Sequence, residues 1–185
     1  MSLYSRQIGV LGKDVMGSLQ TKAILIIGCD TIGNETAKSL CLMGLKKITL
    51  YDNTIYSKKI HEGRLLYKPQ IKTQSLSKVT KNFLEGLETS TIINIVHSIS
   101  NIKAYDCVVL TTFYQESIEE RCKDNNIPFI FGCNHYLYGM AYSNFGNWTI
   151  NDVDGEPSFQ EYIKEYSIEC DTIKLTIHTN KRPQS

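Results

Sequence analysis

No apolar run in this 185-residue sequence approaches the roughly 18 residues that a membrane-spanning helix requires. The opening Met1-Ser2-Leu3-Tyr4-Ser5-Arg6 has no apolar signal-peptide core. Both absences predict an intracellular, soluble protein without a membrane partner, resident in the cytoplasm with the nucleus as a second compartment. Net charge is only +1 and no basic block interrupts the chain, which removes the electrostatic case for nucleic acid or an anionic surface. None of the six cysteines (29, 41, 107, 122, 133 and 170) is spaced C-x-x-C, so a zinc site would have to be assembled from distant positions. The expectation is six reduced cysteines, most packed as small hydrophobes, with Cys170 structural. His61, His97, His135 and His178 are scattered and read as surface or packed residues. N-x-T triplets at Asn34 and Asn147 have no secretory context, and Asn34 is predicted to cap a helix instead. Internal repeats and low-complexity segments are also missing.

What is present is a globular composition, 42% hydrophobic and 21% charged, in a chain long enough for one cored domain with a small appendage. Ala23-Ile24-Leu25-Ile26-Ile27 is a short apolar run suited to a strand buried on both faces. Gly28 to Gly33 follows as a turn, and Asn34 to Met43 repeats apolar residues at helical spacing through Ala37, Leu40 and Cys41. Gly44 is predicted to end that helix as a left-handed cap. Ile48-Thr49-Leu50-Tyr51 then gives a second strand closing on Asp52, nineteen residues after Gly33. This is the layout of a nucleotide-binding βαβ unit, with an acidic residue where a ribose would sit.

Ahead of that unit, Tyr4 to Gly12 forms an arm bent at Gly9 and Gly12, and Lys13 to Gln20 a short helix. Beyond it, Asn53 to Gln70 reads as a long basic crossover loop and Ser77 to Leu87 as a helix. Thr91 to Val96 and Cys107 to Thr111 read as strands, Ser117 to Lys123 as a helix and Pro128 to Gly132 as a strand. Strands alternating with helices predict an α/β, Rossmann-like, doubly wound and mostly parallel sheet. Tyr136 to Phe145, aromatic and alternating, is its expected antiparallel edge, with Tyr136, Tyr138, Tyr142 and Phe145 as edge packing. The turn cluster Asp152 to Pro157 separates a domain over 1–150 from a short extension over 151–185. In the extension Phe159 to Tyr166 reads as helical, and Ile173, Leu175 and Ile177 as one half-buried strand. A lone strand cannot stabilise itself, so the extension packs on the main domain or opens a module whose remainder lies beyond Ser185.

The turn itself departs from its setting. A phosphate-cradling turn needs glycine in its middle so that backbone N–H groups approach the phosphate oxygens, and here Cys29, Asp30 and Thr31 stand between Gly28 and Gly33. The Asp30 carboxylate adds a repulsion worth up to ~4 kcal/mol at ~4 Å and an effective dielectric of about 20. The expectation is a nucleotide-type fold that binds no cofactor by itself. Asp52 remains a candidate ribose ligand, although an aspartate ending a strand also serves as a turn or cap residue.

The residues carry a resemblance. Tyr4-Ser5-Arg6-Gln7 with Leu11-Gly12, Leu19-Gln20 before an apolar strand, Gly28 to Gly33, Ala37-Lys38, Gly44 and Asp52 resemble the opening of ubiquitin-activating enzymes. The likeness is to their first, inactive adenylation half (ThiF/MoeB-like), and to the non-catalytic subunits of SUMO- and NEDD8-activating enzymes. Tyr138-Gly139, Asn144-Phe145-Gly146 and Asp152 to Pro157 continue it to where a first catalytic-cysteine half-domain begins. The resemblance implies that catalytic members bind ATP and Mg²⁺ and adenylate the C-terminus of a ubiquitin-like protein. Their set includes glycines in the turn, a second acid after the ribose acid, an N-x-N-R-Q-F run, a lysine, and an aspartate after a later strand. Here Asp30 and Thr31 stand in the turn and Thr54 at the second acid. Gly63 and Leu76 fall at the arginine and lysine, with Lys78 close by, and Thr111-Thr112-Phe113 carries no aspartate.

Arg6 is what the resemblance leaves in place. It implies that the arm's arginine crosses to an active adenylation domain or subunit and contacts the ATP held there, so Arg6 is the catalytic candidate and, in trans, the cofactor-binding one. ATP and Mg²⁺ would belong to the assembled enzyme. The implied partners are that active domain and ubiquitin or a ubiquitin-like protein, with a homodimer of this chain by itself as a further expectation. Two other classes stay open. One is an NAD(P)-dependent oxidoreductase with a divergent turn, disfavoured by the lost glycines and the absence of a Y-x-x-x-K pair. The other is a purely structural partner in which Arg6 is idle.

Overall fold

The computed structural model describes residues 4–57, 74–87, 89–134 and 138–146, and the backbone of His135 and of two strands over 161–169 and 172–179. The chain divides into two compact units, Met1–Asn147 and Trp148–Ser185.

The first unit opens with two short helices, α1 (Ser5–Leu11) and α2 (Lys13–Leu19). The expected bend at Gly9 is absent, since Gly9 lies inside α1. The chain turns only at Gly12, whose φ of 84° is open to glycine at no steric penalty. Next come β1 (Ala23–Ile27), α3 (Thr31–Leu42), β2 (Lys47–Tyr51), α4 (Leu76–Glu85) and β3 (Ile92–Ile95). A 3₁₀ turn over Ile102–Ala104 leads to β4 (Cys107–Leu110), α5 (Glu116–Asp124), β5 (Phe129–His135) and β6 (Tyr138–Asn144).

Six strands form one sheet in the order β3-β2-β1-β4-β5-β6. The first five run parallel and β6 pairs antiparallel with β5. This is the Rossmann-like α/β arrangement with an antiparallel edge. Its strand order reverses between β1 and β4, where the crevice of such a sheet lies.

The apolar runs are continuous because both faces of the sheet are covered. Along β1, Ile26 joins a core with Ala37 and Cys41 of α3 and Leu76, Val79 and Leu84 of α4. Its neighbours Leu25 and Ile27 join the opposite core with Val108, Leu110, Phe129, Phe131 and Ile118 and Cys122 of α5. Period-2 alternation thus sends successive residues into two different cores. Gly44, at φ 79°, ends α3 in the left-handed conformation that its position predicted.

Asn34 is not the cap expected of it. The N-cap of α3 is Asp30, and Asn34 lies buried in the first turn, its Oδ1 accepting from Thr80 Oγ1 of α4 at 2.5 Å. An amide between two helices holds them together, which a cap at the protein surface could not do.

The second unit holds β7 (Glu161–Glu169) and β8 (Thr172–Thr179), paired antiparallel. The predicted helix over Phe159 to Tyr166 is therefore a strand from Glu161 onward. The register has an irregularity between Ile163 and Glu165. The expected lone strand has a partner in β7. Residues 58–70 of the predicted crossover loop, Tyr136, the cluster Asp152 to Pro157 and Cys170 lie outside the described residues.

Candidate functional site: the turn at the sheet's switch point

The C-terminal ends of β1, β2 and β4 meet at the reversal in strand order. Gly28 leaves β1 with φ 100°, and its N–H donates to Tyr51 O of β2 at 2.9 Å. A Cβ at Gly28 would stand 2.4 Å from Thr112 Cγ2 and 2.8 Å from Thr111 Oγ1. A Cβ at Gly33 would stand 2.0 Å from Gly28 O and 2.7 Å from Thr111 Oγ1. Glycine is thus needed at both ends of the turn, the first for its dihedral angle and closeness, the second for contact between helix and strand. Thr111 locks the arrangement: its Oγ1 donates to Gly28 O at 2.9 Å and its N–H to Ile27 O at 2.8 Å.

Asp30 occupies the position at which a phosphate-binding turn carries its second glycine. Its φ of −85° and ψ of −159° are extended backbone that any residue adopts, and its side chain makes no capping hydrogen bond with α3. A carboxylate therefore stands at the positive end of a helix where a phosphate would be held.

Asp52 is buried at the end of β2. Its Oδ2 accepts the Cys29 N–H at 2.8 Å and its Oδ1 the Thr54 N–H at 2.9 Å. Its backbone oxygen accepts Ser77 Oγ of α4 at 2.8 Å. One amide of the turn is thus already engaged by a carboxylate of the same chain. The Cys29 thiol, 1% exposed, is pushed far above its ordinary range by burial and then by the Asp52 charge, so it is no nucleophile. Burial likewise raises Cys107 and Cys122 to about 11. Among the described residues, no group of three or more His, Cys, Asp and Glu is arranged to hold a metal ion.

Arg6 is exposed on α1, and among the described residues no hydrogen bond or ion pair joins it to another. It is not brought together with Asp52 or Asp30. The residue two positions earlier, Tyr4, packs on Gly44 just past the C-terminal end of α3. The turn lies at the N-terminal end of α3, ~18 Å away at about 1.5 Å per residue.

A second polar cluster joins α5 to the edge strand. Glu119 accepts from Tyr142 Oη at 2.9 Å, from Asn144 Nδ2 at 2.8 Å and from Tyr114 Oη. Burial raises its carboxyl, but the bonds from Asn144, Tyr114 and Tyr142 and the nearby Lys123 outweigh it, and the group is held below the usual glutamate range. Tyr142 is therefore an internal partner, whereas Tyr138 is 80% exposed. His97, exposed, pairs with Asn53 at 3.2 Å.

Sequence reasoning missed two contributors. Thr111 was visible only as the lack of an aspartate, though a threonine directly after a buried strand offers a hydroxyl at the crevice. The role of Ser77 depends on the chain returning from α4 to Asp52, which no local pattern encodes.

The chain matches the ThiF family over residues 4–153. It is 33% identical over 160 residues to "Ubiquitin-activating enzyme E1 1" of Schizosaccharomyces pombe, covering 83% of this chain and 16% of that protein. It is 26% identical over 189 residues to "Ubiquitin-like modifier-activating enzyme 1" of Dictyostelium discoideum, covering 97% and 18%. The chain thus spans less than a fifth of the length of these relatives. Among solved structures, Escherichia coli MccB with ATP is similar at a TM-score of 0.61 and 19% identity, over 71% of this chain and 44% of that one. That likeness is one of fold.

Proposed function

This chain belongs to the ThiF family, and within it we propose the non-catalytic adenylation-like half of an enzyme that activates ubiquitin or a ubiquitin-like protein. On this reading it docks on an active adenylation domain, carried elsewhere in the same protein or on another subunit, and lends Arg6 to the ATP and Mg²⁺ held there. The region over 1–150 is the docking domain, and 151–185 an extension that opens a catalytic-cysteine half-domain.

The observation that carries the proposal is Asp30. No Cβ fits at Gly28 or Gly33, so the turn has the close-packed glycine ends of a nucleotide-binding one. The one glycine position that serves an anion is the one taken by a carboxylate. The residues present do not fit a triphosphate: Asp30 repels it, and the Cys29 amide already has its acceptor in Asp52.

Arg6 supports the other half. It is exposed and has no partner among the described residues, and the residue two before it, Tyr4, packs at the opposite end of α3 from the turn, which favours a neighbour's ligand over its own. A guanidinium suits that task because it is permanently charged and forks onto two phosphate oxygens. Preorganised positive charge facing the phosphorus under attack lowers the barrier without bond-making by this chain.

The test is pyrophosphate exchange in the assembled enzyme with its ubiquitin-like substrate. Arg6→Ala is expected to slow exchange by roughly 10³-fold or more, the range of arginines supplied in trans. An unchanged rate would leave a purely structural partner.

A further inference from the structure

We propose that Tyr4 is the positioning residue for Arg6, an inference that rests on the role in trans proposed above. The helix that carries Arg6 has little to hold it. α1 is seven residues long and buries none of its own side chains. Helices shorter than about 12–15 residues are marginal in water without tertiary support. Gly9 within α1 and Gly17 within α2 face open space, with nothing near enough to brace them.

The support comes from the residue just before the helix. Tyr4 is only 7% exposed, and its carbonyl accepts the Ile8 N–H at 2.9 Å, the bond that starts α1. Its ring lies against Gly44 so closely that a Cβ there would stand 2.6 Å from Cζ, 2.8 Å from Cε1 and 3.1 Å from Cε2. Its hydroxyl lies 3.1 Å from Ser90 Oγ, in the segment entering β3. One side chain thereby ties the start of α1 to the end of α3 and to the approach to an edge strand. Gly44 is constrained twice, by its left-handed φ of 79° and by the ring that occupies the space of its missing Cβ.

Arg6 stands two residues beyond this anchor. A guanidinium reaching a neighbour's phosphate needs its Cα fixed, because misplacement of about 1 Å can reduce a rate by about 10²-fold. Tyr4 supplies the fixed point and touches no substrate. Its effect on the reaction must therefore run through Arg6.

The experiment compares wild type, Arg6→Ala, Tyr4→Ala, Tyr4→Phe and the double variant R6A/Y4A in pyrophosphate exchange by the assembled enzyme. Hydrogen exchange is measured in parallel. Tyr4→Ala is expected to lower kcat by about 10²-fold with KM for ATP nearly unchanged, and to expose the amides of residues 8–11 while those of β1 stay protected. The double variant should be no slower than Arg6→Ala, since removing the anchor of an absent group changes nothing. Tyr4→Phe keeps the ring and should restore the rate to within a few-fold. Tyr4→Leu serves if Tyr4→Ala fails to fold, with the same expectations.

A normal rate in Tyr4→Ala beside a slow Arg6→Ala would overturn the anchoring role and leave the role of Arg6 standing. Losses that multiply in the double variant would also overturn it. A normal rate in Arg6→Ala would remove the proposed function and this inference with it.

Discussion

At the scale of single residues, the glycines separate by what surrounds them. At Gly33 a methyl group would meet backbone at 2.0 Å, which no side-chain rotation relieves. Gly33→Ala is expected to destabilise the protein by about 3 kcal/mol, the upper end for overpacking, in urea unfolding followed by circular dichroism. Gly17, inside α2 with nothing within 4 Å, should accept alanine with an unchanged or slightly higher midpoint. Spacing alone picked out the glycine pair, but only the structure distinguishes it from the glycines of the arm. Asp52 was legible as an acid ending β2 and open to two roles. Its two oxygens accept two backbone N–H groups, so Asp52→Asn sets an NH₂ group against one of those donors. The expected loss is about 1–3 kcal/mol, that of a buried donor left unsatisfied, read in the same unfolding experiment. A variant as stable as wild type would show that the carboxylate does not hold the turn.

At the scale of elements, the long-range clamps were the least visible part of the sequence. Glu119, Tyr114, Tyr142 and Asn144 come from a helix, the loop before it and an edge strand, and only the fold brings them together. The cluster predicts a pH dependence with a definite sign. The folded-state pKa of Glu119 is depressed, so its contribution to stability is present above the unfolded value and is lost as pH falls through the folded one. Protection of β6 amides should weaken below about pH 4, the ordinary glutamate range. Hydrogen exchange across that range checks this, and Glu119→Gln should abolish the step. Strand β7 shows the opposite difficulty, a local pattern that misleads. Phe159, Ile163 and Tyr166 fall at i, i+4 and i+7, the period of a helix. The irregularity between Ile163 and Glu165 makes that spacing compatible with a strand, because one extra residue shifts a period of two. The parallel strands had no such interruption, and their unbroken apolar runs were read correctly.

At the scale of the whole molecule, the sheet order β3-β2-β1-β4-β5-β6 sets the site at one edge of the β1–β4 reversal and the arm at the far end of α3. This separation underlies the proposed division of labour: a nucleotide fold whose own crevice refuses an anion, and an arginine displayed away from it. Composition argued only against the membrane and nucleic-acid classes, and the family resemblance depended on a few residues near the start. The isolated chain is expected to show no pyrophosphate exchange with ATP and a ubiquitin-like protein.

Calorimetric titration of this chain alone with Mg·ATP probes the refused crevice most directly. The account predicts no saturable binding up to about 1 mM nucleotide, a bound of about 4 kcal/mol on the affinity. Saturable binding with a Kd of ~1 μM, abolished by substitution within residues 28–33, would contradict it.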